Sequence, residues 1–241
     1  MFGHQRAPAP KFMKANEQTF ESLDQTADTT AAGLARAAVG AAFELYRDKR
    51  FRRLAAIEQL NQAEQDRIVN ELVVSSLVLI LLLLEAPDLR VAGDFQRYLA
   101  GLGKKVPRAF LDYLGTLGIE TNPLQDWEKL IAMRYEEYAR DKHGVRAAAM
   151  QIESAERGLD LDGLSRIQML VPLQAVALGC HDHICRGDME GRDDLFRLTL
   201  DSLSKFYVEI RVRVEGGTIT PLTRMRAALK EMLYRIKRRA Q

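Results

Sequence analysis

The chain has 241 residues, is 47% hydrophobic and 28% charged, and sets 35 basic residues against 33 acidic ones, for a formal charge of +2. Such a balance excludes a disordered low-complexity chain, and the near-neutral total points to no polyanionic partner for the molecule as a whole. The only two cysteines, Cys180 and Cys185, would lie roughly 8 to 9 Å apart at Cα on a helix, too far to bridge; this excludes a disulfide framework and makes a reducing cytoplasm the expected compartment.

Residues 1–28, with Pro8, Pro10 and little periodicity, read as a flexible N-terminal arm without a secretory signal, and residues 29–241 as a single helical domain with a possible subdivision near 88–122. From Thr30 to about Leu60, apolar residues recur at helical spacing (Leu34, Ala37, Ala38, Ala41, Leu45). The stretch NQAE then announces a second helix: Asn61 can cap it, and Glu64 three residues on completes a capping-box pattern. Within it, Leu72 to Leu84 is apolar all round and stops at Glu85 and Pro87. A bilayer span needs about 20 apolar residues, so this 13-residue run reads instead as the central helix of a core or subunit interface. Covering it is easiest with a partner subunit, which argues for a homodimer.

Between Asp88 and Glu120, the punctuation by Gly101, Gly103, Pro107, Gly115 and Gly118 predicts two short helices. Asn122 and Pro123 open another helix, running through His143 with a weak point at Gly144, and Asp160 or Asp162 can cap the next. That next helix carries two largely apolar stripes, one of them Leu164, Ile167, Val171 and Leu178, and so reads as central, with a bend at Pro172. Residues 207–220 alternate like a strand and could close a hairpin at EGGT, but Phe196, Leu200, Leu203, Phe206, Tyr207, Ile210 and Val214 share one helical face. Helix is favoured there, with Gly216 or Gly217 ending it and Pro221 opening the last one. The sum is an all-α multi-helix bundle of about seven or eight helices around a central apolar helix.

Chemistry concentrates in GCHDHIC, residues 179–185. His181 and Cys185 have the i, i+4 spacing of two metal ligands on one helix face, but adjacent side chains point about 100° apart, so a complete site needs ligands from the preceding helix, such as Glu136, Glu137, Asp141 or His143. The bland alternative is a buried helix end whose histidine suits the C-terminal dipole. With His143 upstream and His181 adjacent to Asp182, the segment resembles, in three or four residues only, the HD-domain metal phosphohydrolases. That resemblance implies a metal held by His143, His181, Asp182 and either Asp194 or Asp201; the family's small-residue and lysine continuation is replaced here by His183 to Arg186. No phosphate-binding glycine loop or nucleophile elbow occurs, and DLDGLS fails as a calcium loop because Met169 stands where the bidentate carboxylate belongs.

Two basic clusters remain. RDKRFRR, Arg47 to Arg53, lies at the end of a helix loosely similar to the opening helix of TetR-type repressors, without the turn and recognition helix that should follow. The closing stretch sets Arg224, Arg226, Lys230, Arg235, Lys237, Arg238 and Arg239 against Glu231 alone, opposite an apolar stripe of Leu222, Met225, Leu229, Met232, Leu233 and Ile236. Such a face suits anionic lipid, nucleic-acid phosphates or a partner groove.

The leading expectation is therefore a non-enzymatic helical interaction, adaptor or regulatory module that needs no cofactor. The alternative is a metal-dependent enzyme or sensor using zinc, iron or manganese at His143, His181, Asp182 and Cys185. A third is a peripheral membrane or nucleic-acid binder acting through the basic closing segment. Convergent carboxylates and imidazoles in an open pocket would favour the enzyme; separately packed side chains would favour the interaction module.

Overall fold

Every residue from Leu72 to Leu84 is buried, and the rest of the chain is arranged to make that possible. The computed structural model describes residues 15–86, 89, 96–156 and 158–215; among these the fold is all-α, with seven α-helices and one 3₁₀ turn, and no strand. They are α1 (Ala15–Arg47), α2 (Lys49–Leu54), the 3₁₀ turn Ile57–Gln59, α3 (Gln62–Leu84), α4 (Gln96–Thr116), α5 (Thr121–Glu156), α6 (Leu161–Cys185) and α7 (Asp193–Val214). The central helix is α3, and α1, α4, α5, α6 and α7 all pack on it.

Because these neighbours belong to the same chain, the apolar run needs no second subunit to cover it. The sequence argument for a homodimer thereby loses its premise. The run also sits in a longer helix than its 13 apolar residues imply: α3 has 23 residues and is, by length and composition alone, able to cross a membrane, although 78% of its most apolar 18-residue stretch is buried inside the protein. Its two ends are tethered by acids. Glu71, just before the run, takes a bidentate ion pair from Arg134 of α5 at 2.6 and 2.9 Å, and Glu85, just after it, accepts from the Tyr135 hydroxyl. Inside the run, Ser76 donates to the Leu72 carbonyl at 2.8 Å and Ser75 shares a hydrogen bond with Tyr138 at 3.3 Å. Both hydroxyls are thus satisfied in a dry core.

Several sequence expectations are corrected. The helix expected from Thr30 begins at Ala15, so residues 15–28 of the supposed arm belong to α1; Lys105 of α4 reaches Asp24 and Asp28 at 2.6 Å each and ties this part down. The same helix stops at Arg47 rather than near Leu60, because the Asp48 carboxylate accepts from the amides of Arg50 and Phe51 and starts α2 afresh. The two short helices expected between Asp88 and Glu120 are one helix, α4, with Gly101, Gly103, Pro107 and Gly115 inside it. Burial of Leu99, Leu102, Val106 and Phe110 along one face outweighs the local cost of those residues. Gly144 does not interrupt α5.

Two cap expectations hold, whereas α5 already begins at Thr121, so Asn122 lies within its first turn instead of capping it. Asn61 accepts from the Glu64 amide at 3.0 Å and Asp160 from the Gly163 amide at 2.6 Å. Residues 207–214 are helical, the hairpin alternative falling because Leu203, Phe206, Tyr207 and Ile210 bury one helical face. The expected helix end at Gly216 or Gly217 and the last helix after Pro221 lie outside the described residues, as do Arg224, Arg226, Lys230, Arg235, Lys237, Arg238 and Arg239.

Candidate functional site

GCHDHIC forms the last turns of α6, and several of its groups are held by neighbouring helices. The helix ends on Arg186 in the left-handed conformation (φ 55°), with the Gly187 amide returning to the Asp182 carbonyl at 3.0 Å. The exposed carbonyls of the last turn are capped from α3: Arg67 donates to the His183 carbonyl at 2.6 Å and the Ile184 carbonyl at 3.3 Å. A guanidinium there also complements the negative end of the helix dipole. Glu64 pairs with Arg67 and Arg186, and these two guanidiniums hold its carboxyl below the usual range, with Arg67 first.

His181 is buried, edge-on to the Phe196 ring at 5.5 Å between centroids, with Nε2 3.5 Å from the Cys185 Sγ. Burial lowers its pKa and raises that of the Cys185 thiol. Cys180 is fully buried and pushed up to about 12. Both cysteines are consequently thiols at neutral pH, which is the unreactive form.

The expected ligands do not converge. His181 and Cys185 are brought together, but Asp182 is only half-buried and His143 lies exposed on α5. Among the described residues, no three of His, Cys, Asp and Glu are grouped where they could hold a metal ion, and this covers the set His143, His181, Asp182, Asp194 and Asp201 that the HD-type resemblance implies. The preceding helix does send a carboxylate to this stretch, but to His183: Glu137 meets its Nε2 at 2.8 Å. Glu137 in turn pairs with Arg134 at 3.0 Å, which holds Glu71. This Glu71–Arg134–Glu137–His183 chain stitches α3, α5 and α6 together. Sequence reasoning missed it; its trace is the i, i+3 pair Arg134 and Glu137 on the helix face that also carries Tyr138. The TetR similarity gains no support either, since α3, which follows the RDKRFRR cluster, is buried through most of its length.

A second feature was misjudged in the sequence. The α6 stripe is not wholly internal: Leu164 and Leu178 are exposed, at 37% and 44%, as is Leu170 beside it, at 36%. Leu170 and Leu178, with Ile167 and Gln174, floor a groove of about 470 Å³, walled by Ala149 and Ile152 of α5 and by Phe196 and Leu200 of α7. Ile152 is 59% exposed and Leu161, beyond the groove's end, 83%. The i, i+3, i+7 spacing was visible, but which side of α6 the neighbours cover was not.

No family model, curated protein or solved structure matches the chain.

Proposed function

We propose that this protein is a non-enzymatic helical interaction module of the cytoplasm whose contact surface is the α5–α6–α7 groove. The observation that carries the proposal is the groove itself: an open, apolar trough over α6, flanked by two helices, of the shape that receives an amphipathic helix. Exposed Leu170, Leu178 and Ile152 lie together in this groove and form an apolar patch of the kind that marks an interaction site. The occupant is a helix of another chain, and a homodimer would be one such assembly. Of His143, His181, Asp182 and Cys185 only His181 and Cys185 meet, and this supports the interaction reading over the metal-dependent one.

A photo-cross-linking residue placed at Leu178 in cells tests the proposal, with one at Met133, exposed on α5 outside the groove, as reference. Adducts to another polypeptide from position 178, reduced by Ile152→Glu and absent from position 133, are expected. Absence of any polypeptide adduct from the groove would overturn the proposal. So would near-stoichiometric zinc, iron or manganese in the purified protein that is lost on His181→Ala, since this would establish the metal-dependent alternative.

A further inference from the structure

We propose that the hollow formed by the end of α1, α2 and the 3₁₀ turn binds a small anion carrying two or more phosphate groups, held by Arg47, Lys49, Arg52 and Arg53. The hollow shares no residue with the α5–α6–α7 groove, so the two readings stand or fall separately.

The site is built from RDKRFRR and the turn after it. The helix breaks between Arg47 and Lys49, and Phe51, Ala55 and Ile57 are buried and pin the restarted chain, leaving Arg47, Lys49 and Arg53 exposed. Ala56 takes the left-handed conformation (φ 51°), and beyond it Glu58 meets Arg52 at 2.6 and 2.8 Å. Together these residues enclose a hollow of about 580 Å³, lined also by Gln59.

Charge in the hollow is one-sided, although the chain as a whole is nearly neutral. Four cations line it against the single carboxylate of Glu58, an excess of three positive charges, and Glu58 is already paired with Arg52. Asp48 is not part of the lining; its carboxylate accepts from the Arg50 and Phe51 amides at 2.8 and 2.9 Å. Among the described residues, Arg47, Lys49 and Arg53 make no ion pair. Lys49 and Arg53 stand at i, i+4 on α2, like charges about 5 to 6 Å apart at Cβ that repel each other. An anion between them removes that repulsion.

Two of the cations are positioned in advance. Arg52 is held by Glu58 and lies 5.1 Å from the centre of the Tyr46 ring, whose hydroxyl donates to Gln65 at 3.1 Å; Arg47 lies 5.7 Å from the Phe43 ring centre. Guanidiniums ordered in this way lose less freedom on binding. Their planar forks match pairs of phosphate oxygens, and Lys49 adds a point charge. Each phosphate brings up to about two negative charges, so an anion with two or more of them answers the excess that one carboxylate would leave. The cations gather in one hollow instead of tracking along a groove, which suits a compact anion better than a nucleic-acid strand, followed over about four nucleotides or more.

Isothermal titration of the full chain with inorganic tripolyphosphate tests the site, with citrate as the carboxylate reference. Saturable one-to-one binding is expected, about tenfold tighter than citrate and weakened about tenfold or more by Arg47→Gln with Arg53→Gln. Arg36→Gln with Arg108→Gln removes the same charge from exposed arginines of α1 and α4 outside the hollow and should leave the affinity unchanged. Absence of saturable binding, citrate binding as tightly, or equal weakening by the two double variants would each overturn the proposal. Gln59→Lys adds a cation to the lining and is expected to tighten binding; because it reads a gain, it decides the matter even where a double variant fails to fold, and an unchanged affinity would overturn the site. Flotation with vesicles containing phosphatidylinositol bisphosphate, lost in the Arg47→Gln, Arg53→Gln chain, would support the site and assign the phosphates to a lipid headgroup. Tripolyphosphate binding without flotation would support it with a soluble ligand. A single-stranded oligonucleotide that displaces tripolyphosphate and binds about tenfold more tightly would overturn the small-anion reading in favour of a strand-binding surface.

Discussion

At Gly179 a side chain has no room. A Cβ there would lie 2.1 Å from Cε1 of Tyr138, itself fully buried and bonded to Ser75. The glycine in GCHDHIC is thus explained by contact between α5 and α6, not by catalysis or backbone freedom. Gly179→Ala is expected to cost about 1 to 3 kcal/mol through overpacking, read as a lower urea midpoint, and Tyr138→Leu in the same chain should recover part of the loss. His181, two residues on, gives a pH prediction. Burial depresses its pKa below the ordinary imidazole value of 6.5, so as pH falls through that value the unfolded chain takes up a proton that the folded chain refuses. The unfolded state then binds more protons, and stability must fall with decreasing pH from about 6.5 until the depressed folded pKa is reached. His181→Gln removes this contribution, and its stability should decline less than the parent's between pH 7.5 and 5.5. An identical slope in the two proteins would show that the imidazole titrates normally in the fold.

Between elements, the deciding interactions are polar and few. Arg134 and Glu71 have side chains only 12% and 7% exposed, and both are committed to the pair that joins α5 to α3. Two nearby carboxylates, Glu71 before Glu137, hold the guanidinium firmly in its charged form. Arg134→Met strands Glu71 in the core and should cost about 3 to 5 kcal/mol, whereas Glu71→Gln leaves Arg134 paired with Glu137 and should cost less. The double variant Glu71→Met with Arg134→Met should lose far less than the sum, and additive losses in urea titrations would refute the coupling. The helices themselves were largely legible, because periodicity and caps are local: Asn61 and Asp160 were readable as caps from three or four residues each. What was not legible depended on neighbours. Gly101, Gly103 and Pro107 looked like punctuation, yet four buried residues of α4 against α1 and α3 hold them in one helix. Leu164 and Leu178 looked internal because a stripe shows where apolar residues are, not which of them another helix covers. The candidate site suffered most from this: the His181 and Cys185 spacing was right, but whether a third ligand joins them is set by α5, whose register no spacing reveals.

For the molecule as a whole, the arrangement of five helices around α3 argues for one cooperative unit, and this can be set against the subdivision that the glycine-rich stretch near 88–122 suggested. The single tryptophan, Trp127 on α5, meets Phe110 of α4 edge to face with centroids 5.2 Å apart. Its fluorescence reports the joint between the segment 96–116 and the remainder of the bundle. The far-ultraviolet circular dichroism signal reports all helices together. Since α4 also packs on α1 and on α3 itself, releasing it would uncover its buried Leu102 and Val106 and apolar surface on the helices it covers. Little is gained by releasing α4 alone, because its partners would be left with uncovered apolar surface and no compensating contact. Urea transitions followed by the two signals are therefore expected to coincide in midpoint and slope. An earlier fluorescence transition would mean that α4 and the start of α5 form a separately melting unit, and the chain would then have to be described as two cooperative parts sharing one apolar helix.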